Sequence, residues 1–244
     1  MTTIATAMVL AAGLGTLLKP LTERLPKPLV PVAGRTLLDR ALDRLEESNV
    51  KTAVVNLHHL GDMIADHLKD RKKPKIVLSR ELDRQETGGG VRSALAHLGQ
   101  GPFFVVNADV LWLNGPYNAL ARLAHHWREA DMDALLLLHE TTVAFGYDGA
   151  GDFLADPAGR LQRRPERELA PYLFTGVQIL HPRLFQDCPE GPFSLNVLYD
   201  RANAAGRLHG IVHDGEWFHV GTPEGLAEAE EYMRVRYPSS KRRR

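Results

Sequence analysis

The sequence predicts an α/β fold: a three-layer, doubly wound and mainly parallel sheet, with helices on both faces and added antiparallel strands. Strand and helix periodicities alternate over about the first 140 residues, which is typical of parallel strands joined by crossover helices. The first segment, TAMVLAA (6–12), is a continuous apolar run, as expected for a strand that is covered on both faces. After residue 140 the alternation gives way to shorter segments that favour antiparallel pairing.

The helices of the first half are predicted from apolar faces and end signals. In the segment 36–50, Leu38, Leu42 and Leu45 fall on one helical face, and Thr36 can cap the helix. The other helices predicted in this half are 60–70, 89–98 and 118–130. The strands predicted between the helices are 52–57, 75–79, 102–109 and 133–140.

The second half is predicted to begin with an antiparallel hairpin at 145–164, whose turn is Pro157-Ala158-Gly159. A helix at 222–235 is indicated by Thr222 as its cap and Pro223 at the first helical position. The remaining predicted elements are strands at 173–181, 207–214 and 216–221 and a helix at 194–206.

Composition limits the classes of function. The 244 residues include 30 Lys or Arg and 30 Asp or Glu, so the net charge is zero and does not favour nucleic acid or membranes as partners. The length predicts a single domain at 1–236, followed by a basic flexible tail at 237–244. One cysteine excludes an internal disulfide and indicates a reducing, cytoplasmic setting. We expect small-molecule partners, and a monomer or a weak homo-oligomer.

The stretch AAGLGTLLKPLTERLPKPLVPVAG (11–34) follows the first strand. Gly13 and Gly15 allow backbone N–H groups to approach an anion, and consecutive N–H groups form an anion-binding nest. Prolines on both sides of Lys27 restrain the chain and hold the ammonium group in place. The stretch therefore indicates a phosphate site. The alternative is a proline-rich connector that carries a solvated lysine.

Two further segments follow predicted strands at the edge where parallel sheets bind ligands. In QETGGGVRSAL (85–95), three glycines at the start of a helix favour close approach to a ligand, although a flexible turn is the alternative. In FFVVNADVLW (103–112), Asp109 lies at the carboxyl end of an apolar strand. A carboxylate there is a natural Mg²⁺ ligand, because Mg²⁺ prefers one or two carboxylates together with substrate phosphates. The alternative for Asp109 is a cap of the next turn.

These motifs together resemble the sugar-1-phosphate nucleotidyltransferases. The matching stretches are LAAGLGT, PLTERLPKPLVPVAG, ETGGG, VNADV, FTGVQILHP and WFHVGTPEGLAEAE, in the same order and over about residues 6–235. The resemblance implies a Rossmann-like, glycosyltransferase-A-like sheet. It also implies transfer of a nucleotidyl group from a triphosphate to a sugar-1-phosphate. The short length and ETGGG resemble most the branch that uses UTP and N-acetylmuramate-1-phosphate.

The resemblance assigns roles to individual residues. Lys27 and Asp109 are implied to be catalytic, and Asp109 and His219 to hold Mg²⁺, with Mn²⁺ possible. The residues implied to bind the nucleotide are Ala12, Gly13, Gly15, Thr16, Lys27, Glu86, Gly88, Gly89 and Gly90. The residues implied to bind the sugar phosphate are Asn107, Glu140, Asp152, Thr175 and Gly176.

Two positions depart from the family pattern. Leu17 stands where the family has an arginine that stabilises the triphosphate, and Lys19 matches a different family position. His219 stands where the family usually has a second metal-binding aspartate, and imidazole favours softer ions such as Mn²⁺. His219 could instead only form a hydrogen bond at a strand end. Two alternatives remain open: guanylyl transfer to mannose- or heptose-1-phosphate, and a nucleotide-sugar binding protein with impaired catalysis.

Overall fold

A nine-stranded mixed sheet forms the centre of the fold within residues 3–237, which are the residues that the computed structural model describes. The strands of this sheet and of two small two-stranded sheets are β1 (Thr6–Leu10), β2 (Pro31–Val32), β3 (Arg35–Thr36), β4 (Thr52–Leu57), β5 (Lys75–Arg80), β6 (Phe103–Asn107), β7 (Leu111–Leu113), β8 (Ala134–Glu140), β9 (Phe153–Ala155), β10 (Leu161–Arg163), β11 (Tyr172–Leu180), β12 (Leu208–Val212) and β13 (Glu216–Phe218).

The α-helices begin where the sequence provides caps. The Thr36 side chain accepts a hydrogen bond from the Asp39 amide, and Thr222 accepts one from Gly225, as predicted for both. The α-helices of the described residues are α1 (Leu37–Glu47), α2 (Gly61–Leu68), α3 (Glu86–Leu98), α4 (Ala119–His126), α5 (Asn196–Ala204) and α6 (Pro223–Arg236).

Parallel strands in the order β5-β4-β1-β6 form one half of the central sheet. Strand β11 pairs antiparallel with β6 and with β8, and β12 pairs parallel with β8. The hairpin β9-β10 extends the sheet beside β11, and the Gly159 amide bonds to the Asp156 carbonyl in its turn. The predicted α/β class, with a mainly parallel first half and added antiparallel strands, is therefore confirmed.

Side chains on the two faces of the sheet form separate apolar layers. Ala7 and Val9 of β1 pack in one buried cluster with Leu42 of α1, whereas Met8 packs in another with Val91 of α3. This alternation follows from the two-residue period of a strand. Because both faces of β1 and β6 are covered, these strands are almost entirely apolar, whereas the edge strand β5 is partly exposed and contains polar residues at its ends.

Several element boundaries differ from those predicted. Helix α3 begins at Glu86 rather than at residue 89, and α4 ends at His126 rather than at residue 130. Strand β7 was not predicted, because its partner β13 lies about 100 residues later and local periodicity carries no sign of that pairing.

No helix of residues 3–237 is long and apolar enough to cross a membrane. The basic stretch 238–244 of the predicted tail lies outside the described residues.

Candidate active site

A cavity of about 250 Å³ opens at the carboxyl ends of the parallel strands. The last residues of β1 and β6, Leu10 and Asn107, line it, as does Asn56 near the end of β4. The full lining comprises Leu10, Ala11, Ala12, Gly13, Gly15, Lys27, Pro28, Asn56, Glu81, Arg84, Glu86, Thr87, Asn107, Asp109 and Ser194. The cavity thus lies where an open α/β sheet binds ligands.

The glycine turn after β1 forms one wall of this cavity. Gly15 adopts the left-handed conformation, with φ of 62°, and its carbonyl accepts a 2.7 Å hydrogen bond from the Thr22 hydroxyl. A Cβ at Gly15 would lie 2.9 Å from Thr22 Cγ2 and 3.0 Å from Lys27 Cβ, so only glycine fits without displacement. Ala12 and Gly13 also line the cavity, whereas Thr16 begins a short 3₁₀ turn and is not part of the lining.

The opposite charges of Lys27 and Asp109 meet in the cavity. Lys27 Nζ donates to Asp109 Oδ2 at 2.8 Å, and the lysine side chain is only 15% exposed. Pro26 and Pro28 flank the lysine, and the 3₁₀ turn Lys27–Leu29 fixes its backbone. The side chain of Asp109 is 37% exposed and so remains accessible to a ligand. The structure therefore brings the two predicted catalytic residues together.

A buried polar pair that the sequence analysis missed supports the cavity floor. Asn56 Nδ2 donates to Glu81 Oε1 at 2.7 Å, and Asn56 Oδ1 accepts from the Ala11 amide at 2.7 Å. The pair therefore ties the glycine turn after β1 to the segment after β5. The available signal was Asn56 itself, a polar residue inside the apolar run TAVVNL.

Gly88 and Gly89 at the start of α3 lie against the segment that contains Phe193. The Gly88 and Gly89 amides both donate to the Phe193 carbonyl, at 2.8 and 3.2 Å, and are not bare. A Cβ at Gly88 would overlap the Phe193 ring. Glu86 and Thr87 line the cavity, whereas Gly88, Gly89 and Gly90 are buried behind them. Because Gly88 and Gly89 have no side chains, the segment around Phe193 can pack closely against α3. Contact of these glycines with a nucleotide stays a prediction.

His219 lies near the Lys27–Asp109 pair, just after β13. Burial lowers the pKa of His219, and the Lys27 ammonium lowers it further, while Asp148 and Asp109 act in the opposite direction. The imidazole is therefore neutral at pH 7, as a metal ligand must be. Asp148 was not singled out by the sequence analysis, which placed it inside the hairpin predicted at 145–164, whereas the structure places it in a loop before β9.

The predicted sugar-phosphate residues are distributed over several places. Asn107 lines the cavity, and Gly176 lies against the Asn107 side chain. Thr175 does not reach the cavity, because it is fully buried and its hydroxyl donates to the Leu137 carbonyl. Glu140 is exposed at the end of β8, away from the cavity lining.

Asp152 lies in a second cavity of about 160 Å³. This second cavity is lined by Gly151, Asp152, Phe153, Arg163, Arg164, Phe174, Asn196 and Tyr199. Asp152 Oδ2 accepts a 2.8 Å hydrogen bond from the Phe174 amide, which fixes the carboxylate beside β11.

Leu17 is 70% exposed and lies outside the first cavity lining, so it brings no charge to the cavity. Lys19 does not replace it, because its ammonium lies 3.9 Å from Glu23 on the surface. Arg84 does line the cavity, with its side chain 56% exposed and 3.7 Å from Glu86. Arg84 is thus a second cation of the cavity beside Lys27, and the sequence analysis missed it because the loop has no motif.

Comparison with known proteins decides the family. The family model for nucleotidyl transferases matches residues 6–235. The chain belongs to the nucleotidyl transferase family. This transferase is 44% identical over 229 residues to the N-acetylmuramate alpha-1-phosphate uridylyltransferase of Caulobacter vibrioides, with coverage of 92% of this chain and 95% of that protein. The enzyme of the same name from Neisseria meningitidis is 34% identical, with coverage of 92% and 96%.

The crystal structure of HddC from Yersinia pseudotuberculosis complexed with GMP-PN has the same fold as this nucleotidyl transferase. The TM-score is 0.75 at 23% identity, and the match covers 94% of this chain and 100% of HddC. Crossover helices on both faces and the antiparallel addition after β8 are therefore features of a known architecture.

The site of this nucleotidyl transferase is suited to electrostatic chemistry. Its cavity joins a glycine turn and five charged side chains, and its lining contains no histidine that could act as a base. The charged side chains are Lys27, Arg84, Glu81, Glu86 and Asp109. Nucleotidyl transfer requires positioning and charge stabilisation more than proton transfer.

Proposed function

We propose that this nucleotidyl transferase transfers the uridylyl group of UTP to N-acetylmuramate-1-phosphate and releases pyrophosphate. The substrate assignment is supported by the 44% and 34% identical relatives of that name, which match over almost their whole length. The chemistry is supported by one observation, the 2.8 Å pair of Lys27 and Asp109 beside the glycine turn. The enzyme would act in the cytoplasm, in nucleotide-sugar synthesis for peptidoglycan recycling.

The reaction exchanges one phosphorus–oxygen bond for another. A phosphate oxygen of the sugar-1-phosphate bonds to the α-phosphorus, and the bond from the α-phosphorus to the bridging oxygen breaks. Pyrophosphate leaves with the electron pair of that bond. The amides of the glycine turn and the Lys27 ammonium bind the phosphates, and this positive environment stabilises the charge that develops on their oxygens.

The donor set fits a divalent cation that is completed by substrate. No group of three His, Cys, Asp or Glu side chains that could hold a metal ion occurs in residues 3–237, so the protein alone offers no full coordination shell. Mg²⁺ commonly binds one or two carboxylates and takes its other ligands from phosphates and water. Asp109 would hold Mg²⁺, and His219 nearby would favour Mn²⁺ as an alternative. When bound, the cation neutralises phosphate charge.

A second candidate function follows from Leu17. Its exposed side chain contributes no charge to the triphosphate, which favours a nucleotide-sugar binding protein with impaired catalysis. Such a protein would bind nucleotide but release no pyrophosphate. Arg84 in the cavity lining argues against it, because the cavity retains two cations.

Pyrophosphate release tests the proposal. The protein is incubated with each of the four ribonucleoside triphosphates, N-acetylmuramate-1-phosphate and Mg²⁺ or Mn²⁺. We expect release with UTP, and much less in Asp109→Asn. Release with GTP and mannose-1-phosphate would point to guanylyl transfer instead. Binding without release under every condition would support the binding protein.

A further inference from the structure

The second cavity lies close to the first along two segments of the chain. Ser194 lines the first cavity and Asn196 lines the second, so a single residue, Leu195, separates them along the chain. On β11, Phe174 lines the second cavity, and Gly176, two residues later, lies against Asn107 of the first. Residues two apart span at most about 7 Å. A sugar whose phosphate lies near Asn107 would therefore extend toward the second cavity.

Arg164 is a cation of the second cavity whose hydrogen-bond partners in the described residues are all backbone carbonyls. Its Nε donates to the Gly151 carbonyl at 2.9 Å, and its Nη1 donates to the carbonyls of Pro165, Glu166 and Glu168. All these partners are neutral, and Arg164 forms no ion pair with a carboxylate of the described residues. These bonds fix the guanidinium and leave its Nη2 without a partner in residues 3–237.

The other charged groups of the second cavity already have partners. Arg163 Nη1 bonds both oxygens of Asp200 at 3.0 Å, and Asp152 Oδ2 accepts from the Phe174 amide. With Arg163 neutralised by Asp200, Asp152 and Arg164 remain as one anion and one cation of the lining. A half-buried guanidinium that is fixed by backbone carbonyls is well arranged to bind a carboxylate, because little side-chain entropy remains to be lost.

We propose that Arg164 binds the lactyl carboxylate of N-acetylmuramate-1-phosphate and makes the enzyme specific for that sugar. This inference rests on the proposed function, because the substrate identity comes from there. N-acetylmuramate differs from N-acetylglucosamine by a lactyl ether, which adds one carboxylate. A cation in the second cavity discriminates between the two sugars through the negative charge of the lactyl carboxylate.

The test compares two substrates in one protein. kcat/KM is measured for N-acetylmuramate-1-phosphate and for N-acetylglucosamine-1-phosphate in the wild type and in Arg164→Gln. We expect the substitution to lower kcat/KM for the muramate substrate about 10- to 100-fold, and for the glucosamine substrate less than about threefold. Arg164→Lys keeps the charge and should retain part of the preference. Arg167→Gln is the matched control, because Arg167 is exposed in the same segment and lines neither cavity.

A change on the substrate tests the same contact without altering the fold. In the amide substrate, the lactyl carboxylate is replaced by a carboxamide. We expect the wild type to use the amide substrate with the same lowered kcat/KM that Arg164→Gln shows with the acid substrate. In Arg164→Gln the acid and the amide should then be used equally. Equal use of acid and amide by the wild type would overturn the inference, as would an equal loss on both sugars in Arg164→Gln. If the wild type turns over neither sugar, the proposed function fails and this inference fails with it.

Discussion

Lys27 and Asp109 form a 2.8 Å ion pair across 82 residues of sequence. Without substrate, the charge of each side chain is neutralised by the other, and the ion pair holds both side chains in place. A phosphate would compete for the ammonium, and a divalent cation would compete for the carboxylate. The pair is therefore expected to open when a metal–triphosphate complex enters, with both charges retained in the site.

Asp109→Asn tests the carboxylate. The amide is nearly isosteric, so we expect the fold to persist, with a melting temperature close to that of the wild type. Loss of the anionic ligand should lower kcat about 10²- to 10³-fold, because one group that stabilises charge in the transition state is removed. Steady-state pyrophosphate release at several Mg²⁺ concentrations measures this. Asp148→Asn is the control, because Asp148 is the other carboxylate near His219. An equal fall of kcat in Asp148→Asn would contradict a special role for Asp109.

Arg84→Gln tests whether this loop arginine serves the triphosphate. The side chain is 56% exposed, so its contribution is screened by solvent, and we expect KM for UTP to rise about five- to tenfold. Leu17→Arg in the Arg84→Gln background should restore part of that loss, because it places a new cation next to the glycine turn. Arg80→Gln is the control, since Arg80 is equally exposed but pairs with Asp62 outside the cavity. An unchanged KM in Arg84→Gln would refute the role.

Gly88→Ala tests the packing of α3 against the segment that carries Ser194. A Cβ at Gly88 would overlap the Phe193 ring and lie 2.8 Å from its carbonyl, so the segment must shift. We expect the free energy of unfolding to fall by about 1–3 kcal/mol, as measured by urea denaturation. Gly101→Ala is the control, because no atom lies within 4 Å of a Cβ there. Equal stability of the two variants would contradict the steric argument.

The sequence predicted the sheet well because its signals are local. The apolar run before Asp109 and the prolines around Lys27 identify a strand end and a rigid loop without knowledge of any partner. Contacts between distant segments leave no such pattern. The Asn56–Glu81 pair, the contact of Gly88 with Phe193 and the position of Arg84 all depend on segments that meet only after folding. The burial of Thr175 also depends on a distant segment, because β8 lies alongside it and the Leu137 carbonyl of β8 accepts a hydrogen bond from the Thr175 hydroxyl.

His213 provides a prediction on acid stability. The side chain is buried, its Nε2 lies 3.0 Å from the Leu113 carbonyl, and its Nδ1 has no hydrogen-bond partner within residues 3–237. Burial lowers the pKa of His213 to about 4, and His139 and Arg122 also lower it, while Asp214 and the bond to Leu113 raise it. The folded protein therefore keeps this imidazole neutral well below the pKa of about 6.5 in the unfolded chain.

The sign of the resulting pH dependence follows from proton binding. Between pH 6.5 and 4 the unfolded chain binds a proton at His213 that the folded chain excludes, so acid favours unfolding. The contribution is complete above pH 6.5, and its loss on acidification reaches on the order of 3 kcal/mol near pH 4. Urea denaturation at pH 7, 6, 5 and 4.5 measures it. In His213→Gln the slope in this range should be shallower. The slope that remains comes from His181, His209 and His219, whose pKa values burial also lowers. His125→Gln, at an exposed position, should keep the wild-type slope, and an identical slope in both variants would show that His213 does not carry the effect.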